Sequence, residues 1–303
     1  MISNASVTAI VLAFNCSDVI VECLRSLKSS TYPVSILVID NDSSDNTLEL
    51  VNKHFPDVNV KRAHTNLGYS GGNNLGLKIA IEKGTKYAFI VNPDVRVEKE
   101  CIKELVNILE HHPLASIASP KTYYGWPSNL LWFAGATIDW EKGLSPHTGF
   151  REEDIGQYDT LKQIDRANGG AMLVRLSSTS SIGLLDEKYF LYFEETDWSV
   201  RMVKAGFEIY YVPTAVCHHA VSSSTGGEGS ALYWYYMTRN NLLFMSKHGR
   251  TFRKSFSAYL RQSSWGNIKH WLKNPSFESF HKIFATMKGY TDYYLGRFGK
   301  RSF

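Results

Sequence analysis

The residues best suited to chemistry fall in a few short polar segments of a 303-residue chain. In Phe190–Arg201 (FLYFEETDWSVR), the acids Glu194, Glu195 and Asp197 stand at the start of an expected helix, between aromatic neighbours. Acids there can simply answer the helix dipole. Aromatic flanks, however, desolvate a carboxylate and raise its pKa, which suits general-base work near neutral pH. Asn92-Pro93-Asp94 follows an apolar run. One acid there can hold a divalent cation that bridges a diphosphate, or it can be a plain Pro-Asp turn. Asp40, Asp42 and Asp45 close another apolar run, where a carboxylate can accept from a nucleobase N–H or a ribose hydroxyl; Asp45 or Asn46 can equally cap a helix. His218-His219 offers an imidazole to a metal or a phosphate, or is structural. Arg239, among the aromatics of Tyr233–Asn241 (YWYYMTRNN), suits a bidentate grip on phosphate or an ordinary helix surface.

These segments can act together only if the elements between them bring them to one place. Val7–Phe14 and Val34–Asp40 read as buried strands, with Val58–Arg62 a third strand and Tyr87–Val91 a fourth. Helices are expected after Ser17 or Asp18, between Asn46 and Phe55, over Gly71–Lys83, and over Glu98–His111 up to Pro113. Such alternation specifies a mostly parallel α/β sheet covered on both faces, with ligands at the carboxyl ends of its strands. The polar residues after each strand therefore matter most: Asn15, Asp40-Asn41-Asp42, Asn66–Gly76 and Asn92-Pro93-Asp94. Beyond about residue 115 the pattern is less regular. Ser116–Pro120, Trp132–Asp139, Ala167–Leu176 and Glu208–Val212 read as strands, Glu195–Ala205 as a helix, and Ser145–Gln163 as a mobile polar loop. Past Tyr233 the chain is helical, aromatic and basic.

Composition sets the outer limits. Hydrophobic residues make up 44% and charged residues 20%, which excludes disordered and fibrous classes. No GxxxxGKS/T motif occurs and no GxGxxG follows the first strand, against a P-loop nucleotidase and a dinucleotide oxidoreductase. Cys16, Cys23, Cys101 and Cys217 form no CxxC pair and fit reduced, buried thiols in the cytoplasm. Neither a signal peptide nor an apolar run of about 18 residues is present.

Taken in order, AIVLAFN at 9–15, VIDNDSSDNT at 38–47, NLGYSGGNNLG at 66–76, VNPDV at 91–95, NGGAML at 168–173, FLYFEETDWSVR at 190–201 and RNN at 239–241 resemble an inverting glycosyltransferase of family 2, and its bacterial rhamnosyltransferase-like members in particular. The resemblance spans about residues 5–245. It implies the GT-A nucleotide-diphospho-sugar transferase fold, with a nucleotide-binding part over about 1–115, an acceptor-binding part over about 116–245 and a C-terminal helical extension over 246–303. It implies that Asn15, Asp40 and Asn41 hold base and ribose, and that Asn66, Gly68 and Gly71 approach the nucleotide, with Asn92 and Arg239 on its phosphate side. Gly170 and Ala171 would line the sugar and acceptor site. Asp94 matches the last acid of the family's DXD metal motif, with Asn92 at its first position. His219, or its neighbour His218, would complete a Mg²⁺ or Mn²⁺ site. Glu195 stands where the family's base is usually Asp, with Asp197 as second choice. The implied donor is a nucleotide-diphosphate sugar, dTDP-L-rhamnose first, and the acceptor a glycan or a lipid-linked saccharide in cell-surface polysaccharide biosynthesis. A diphosphate hydrolase and a non-catalytic sugar-nucleotide or glycan binder remain as alternatives. The Gln-x-x-Arg-Trp motif of processive synthases is absent, so one or a few sugars would be added.

The net charge of +4 conceals a split. Residues 242–303 carry twelve Lys and Arg against Glu278 and Asp292, leaving −6 for residues 1–241. With Tyr259, Trp265, Trp271, Phe277, Phe280, Phe284, Tyr290, Tyr293 and Tyr294 in company, this tail suits an anionic membrane surface rather than nucleic acid, which would make the protein peripheral on the inner face of the plasma membrane. Solvated basic helices covering the back of the domain are the plain alternative.

Overall fold

A computed structural model describes residues 6–141, 143–220, 229–249 and 277–301. Strands β1 (Val7–Ala13), β2 (Val34–Asp40), β3 (Asn59–Arg62) and β4 (Tyr87–Val91) lie parallel in the order β3-β2-β1-β4. Helices α1 (Ile20–Lys28), α2 (Thr47–His54) and α3 (Gly68–Glu82) make the crossovers. Alternate residues of β1 serve two cores. Val7, Ala9, Val11 and Ala13 pack with Ile20, Cys23, Leu24 and Leu27 of α1. Ile10 packs with Leu77 and Ala80 of α3 on the other face. Burial of both faces is why these runs are continuously apolar.

The second half adds β5 (Val95–Val97), α4 (Cys101–His111), β6 (Ala115–Tyr124), β7 (Leu131–Phe133), β8 (Lys162–Gln163), β9 (Ala171–Arg175), α5 (Thr179–Ile182), α6 (Glu194–Lys204), β10 (Glu208–His219), α7 (Ala231–His248) and α8 (Phe277–Tyr294). β9 inserts antiparallel between β4 and β6, and β10 runs parallel to β6. The sheet order is therefore β3-β2-β1-β4-β9-β6-β10-β5, with β7 on β6 and β8 on β10. This is the α/β architecture expected, with a mostly parallel centre.

Several elements differ from expectation. The strand begun at Glu208 does not stop at Val212; a register shift between Val212 and Val216 absorbs Pro213 and the pairing resumes through His219. The three-residue β5 went unseen because Val-Arg-Val is too short to carry a period. The polar stretch 145–163 is tied down rather than mobile. Lys121, buried on β6, holds Asp154 at 2.8 Å and Asp159 at 2.5 Å, and Ala136 bridges His147. All four cysteines are free and buried, as expected of structural thiols.

The glycines of 68–76 belong to α3 rather than to a loop. An added Cβ at Gly72 would lie 2.3 Å from Leu12 Cδ1, and one at Gly76 2.5 Å from Ile10 Cγ2. These residues are glycine because α3 rests directly on β1. Gly76→Val is therefore expected to destabilise the fold by about 3 kcal/mol through overpacking, read as a lower midpoint in urea unfolding.

Candidate active site

The carboxyl ends of the strands open into a cavity of about 890 Å³, ample for a nucleotide sugar. At the end of β4, the Asn92 amide donates to Gly170 O at 2.9 Å, which joins the Asn92-Pro93-Asp94 turn to the strand start at β9. β5 then pairs antiparallel with the end of β10, placing Val95 opposite His219. That register brings Asp94 to His219, with Oδ1 and Nε2 3.1 Å apart at the cavity wall. Alternation along the strand sends His218 the other way. It lies 3.4 Å from Glu98 and against the Trp126 and Tyr123 rings. His219 is thus the site histidine of the pair.

On the opposite side, Asn41 leaves β2 fully buried and cross-links the glycine-rich turn. Its Nδ2 donates to Asn66 Oδ1 at 3.1 Å and Gly68 O at 3.2 Å, and its Oδ1 accepts from Leu67 N at 2.9 Å. Gly68 has φ +71°, and a Cβ there would sit 2.4 Å from Phe190 O. The Tyr69 amide donates to that same oxygen at 2.7 Å.

Phe190 belongs to a strained turn. Phe190, Tyr192 and Phe193 all have positive φ, at 66°, 68° and 75°. Each such non-glycine residue costs about 1–3 kcal/mol and persists only when its surroundings enforce it. Here α7 enforces it. Asn240 Nδ2 donates to the carbonyls of Tyr189, Leu191 and Tyr192 at 3.0, 2.7 and 2.8 Å. Arg239 donates to Lys188 O and Tyr189 O at 3.1 and 2.7 Å.

The turn launches α6 with Glu194 and Glu195 facing the cavity. Glu194 is 3% exposed. Burial, and then the charge of Glu195, push its carboxyl well above the usual range, which favours the neutral acid. Its Oε2 has no hydrogen-bond partner among the described residues. Glu195 is more accessible. Its Oε1 accepts from Thr196 Oγ1 at 3.0 Å and lies 3.8 Å from the buried Arg166 guanidinium. The two adjacent acids of one pocket thus differ in surroundings: Glu195 lies beside the Arg166 cation, and burial favours the neutral form of Glu194.

The structure does not bring every expected residue to the cavity. Asp197 points to the other side of α6 and is fully buried. It is held by Tyr189 OH, Lys247, His248 and Arg201 at 3.1, 2.5, 2.8 and 2.8 Å. Burial alone would raise its pKa, but the bonds from His248 and Lys247 and the charge of Arg201 prevail and hold it below the usual range. So engaged, it is no second base. Arg239 is likewise spent on carbonyls, and its guanidinium lies against the Tyr235 and Tyr236 rings. Gly71 sits in the first turn of α3, where an added Cβ would lie 2.9 Å from Leu67 Cβ. Ala171 lies in the ladder opposite Val91. Asn15 and Asp40 stand outside the cavity wall and fix the turn after β2. Asn15 Oδ1 accepts from Ser44 N at 2.8 Å and Asp40 Oδ1 from Ser43 N at 3.2 Å, with Arg62 3.3 Å from Asp40 Oδ2 but not aligned for a hydrogen bond.

Other cavity residues were assigned no role: Tyr69 and Asn168 stand inside the motifs at 66–76 and 168–173, while Trp132, His147 and Arg166 carry no distinctive spacing. Asn168 is buried between Ser119 Oγ and Thr122 Oγ1. Burial, then Arg166, drop the His147 imidazole to about 3, so it is neutral and accepts rather than repels a cationic neighbour.

Among the described residues no three His, Cys, Asp or Glu side chains converge into a ready-made metal cage. A hard cation that takes diphosphate oxygens and water needs only one or two protein donors. Asp94 and His219 fit that demand, and His219 Nδ1 is buried without a partner among the described residues. An added Cβ at Gly170 would approach it at 3.6 Å, so glycine keeps that side open.

A sheet of this order with such a cavity at its strand ends is the GT-A fold of nucleotide-diphospho-sugar transferases. Residues 8–173 match the Glycosyl transferase family 2, and the chain belongs to that family. It is 30% identical over 191 residues to a low-salt glycan biosynthesis hexosyltransferase of Haloferax volcanii, a match over 62% of this chain and 60% of that protein. It is 26% identical over 260 residues to the N-acetylglucosaminyl-diphospho-decaprenol L-rhamnosyltransferase of Mycobacterium tuberculosis, a match over 79% of this chain and 84% of that one. A mannosyltransferase from Pyrobaculum calidifontis, solved with GDP-Man and Mn²⁺, superposes with a TM-score of 0.60 over 96% of this chain and 88% of that one, at 14% identity. The protein is a glycosyltransferase of rhamnosyltransferase-like type.

The cluster at Asp197 makes a prediction about stability. A depressed folded pKa contributes stability that is present above the unfolded carboxylate value near 4 and is lost as pH falls toward the folded value. Asp197→Asn should cost about 3 kcal/mol at neutral pH by removing the buried carboxylate that Arg201, Lys247 and His248 share. The gap from wild type should close below about pH 4, as followed by urea unfolding across pH.

Proposed function

We propose that the protein transfers a sugar, L-rhamnose from dTDP-L-rhamnose in the first instance, to a hydroxyl of a glycan or lipid-linked saccharide, with inversion in a single displacement. One observation carries this reading. A Cβ added at Gly169 would lie 3.3 Å from Glu195 Cγ, and one at Gly170 3.6 Å from the His219 ring. A single dipeptide thus spans from the accessible carboxylate to the Asp94–His219 pair, about the interval between an attacked anomeric carbon and its diphosphate. The rhamnosyl choice draws on the Asn92-Pro93-Asp94 variant and on the named activity of the mycobacterial relative.

In this mechanism Glu195 takes the proton from the acceptor hydroxyl. The oxygen attacks the anomeric carbon and the C–O bond to the nucleotide diphosphate breaks. Glu194, whose burial favours the neutral acid, stands beside the base and supports it without taking the proton itself. Asn41, Asn66 and Gly68 shape the wall that receives the nucleotide, with Asn15 and Asp40 buttressing the turn behind it. A Mg²⁺ or Mn²⁺ held by Asp94 and His219 would stabilise the departing diphosphate charge. Residues 1–115 then serve mainly the donor and 116–245 mainly the acceptor. A lipid-linked acceptor would be met at a membrane surface.

The test is a panel of nucleotide sugars with Mn²⁺, read by ligand-dependent melting and by product formation with and without acceptor. Donor cleavage that ignores acceptor would replace this reading with a hydrolase, and binding without turnover would replace it with a sugar-nucleotide binder. Glu195→Gln should bind donor normally and lose transfer by roughly 10²–10⁴-fold. Glu194→Gln, which mimics the protonated acid, should retain most of the rate; equal losses in the two variants would refute the division of roles. Asp94→Ala should abolish the effect of Mn²⁺ on donor binding, measured calorimetrically.

A further inference from the structure

Helix α8 is amphipathic in the wrong direction for a domain packed in water. Its inward face is small and polar: Ser279, Ala285, Thr286, Gly289 and Asp292 are buried. It rests on α7 so closely that a Cβ at Gly289 would lie 2.7 Å from Tyr235 O, and Tyr235 OH donates to Asp292 at 2.8 Å. Phe277, Phe280, Phe284 and Met287 recur at i, i+3, i+7 and i+10, which puts them on one stripe. That stripe points outward, 78, 53, 53 and 63% exposed. Leu295 continues the apolar surface past the helix end at 56%. Large aromatics concentrated on one exposed helix face, with the small residues inside, indicate a surface that is covered in use.

Charge identifies what covers it. The sequence between α7 and α8, residues 250–276, holds six Lys and Arg, no acid, and the aromatics Phe252, Phe256, Tyr259, Trp265 and Trp271. Arg297, Lys300 and Arg301 follow the helix. A second copy of this chain would bring like charge against like. An anionic lipid surface accepts both the apolar stripe and the cations. Among the described residues no helix is long and apolar enough to cross a membrane, so the contact is interfacial. We propose that the outward stripe of α8 inserts at the surface of an anionic bilayer, with the exposed cations Arg297 and Lys300 beside it on lipid headgroups. The other side of α7 lines the cavity through Leu232, Tyr233 and Met237, so the catalytic cavity stands one helix away from the membrane. Lipid binding is independent of the donor reading; only its benefit to a lipid-linked acceptor rests on that reading.

Flotation of the full-length protein with vesicles tests this. Wild type should float with phosphatidylcholine–phosphatidylglycerol vesicles, less so at high salt, and little with phosphatidylcholine alone. The combined Phe280→Ser, Phe284→Ser and Met287→Ser variant should lose roughly tenfold or more of that binding. Its melting shift with nucleotide, and its turnover of a water-soluble acceptor, should match wild type. Those two readouts, taken without vesicles, separate a failure of docking from a failure of the transferase reading. Equal flotation of variant and wild type would overturn the proposal, as would wild type that ignores phosphatidylglycerol. A wild-type dimer in lipid-free sedimentation that becomes a monomer in the variant would also overturn it, in favour of a second copy on the stripe.

Discussion

Helix α7 holds a backbone turn that would not hold itself. Phe190, Tyr192 and Phe193 adopt left-handed conformations that bulky residues avoid. The side chains of Arg239 and Asn240 collect the turn's carbonyls from the other side. The remaining site geometry follows from this clamp. The turn presents Phe190 O to the start of α3, which fixes the glycine-rich wall. It also aims the first turn of α6 so that Glu194 and Glu195 enter the cavity while Asp197 leaves it. One helix therefore couples the glycine-rich wall and the acidic face, and it carries α8 on its far side.

Three acids within four residues end up in three electrostatic environments. Glu194 is buried beside Glu195, and its carboxyl is pushed well above the usual range. Glu195 has solvent access and a guanidinium 3.8 Å away. Asp197 is buried with four donors and stays ionised. The difference is rotational. Successive residues on a helix are about 100° apart, so neighbours in sequence meet different surroundings. Helix-dipole stabilisation acts on all three alike and cannot distinguish them.

The Asp94–His219 pair arises from strand register rather than from a local motif. The two residues lie 125 positions apart, and they meet because β5 turns back antiparallel onto the end of β10. The Ala220 amide donates to Asp94 O at 2.9 Å and closes that corner. A one-residue slip would present His218 instead, and its Glu98 and Trp126 contacts oppose the slip from the other face.

The sequence by itself determined the parallel half of the sheet, its crossovers and the polar segments at its carboxyl edge. Continuous apolar runs bounded by Pro, Gly and Asx are local properties. They were legible at Val7–Ala13, Val34–Asp40 and Tyr87–Val91 almost to the residue. So were Asn41, Asn66, Asp94, Gly170 and Glu195 as candidates, since each follows or opens such an element. What depended on direction was not legible. Arg239 and Asp197 have suitable types and positions, yet their side chains point into the protein, where buried polar groups must be paired. Arg166, His147 and Trp132 join the cavity only because residues 130–168 fold back over the strand ends, through long-range pairings such as Ala136 with His147. Periodicity tells which residues share an element; only the packing of elements decides which faces meet, because that depends on contacts between residues far apart in the chain.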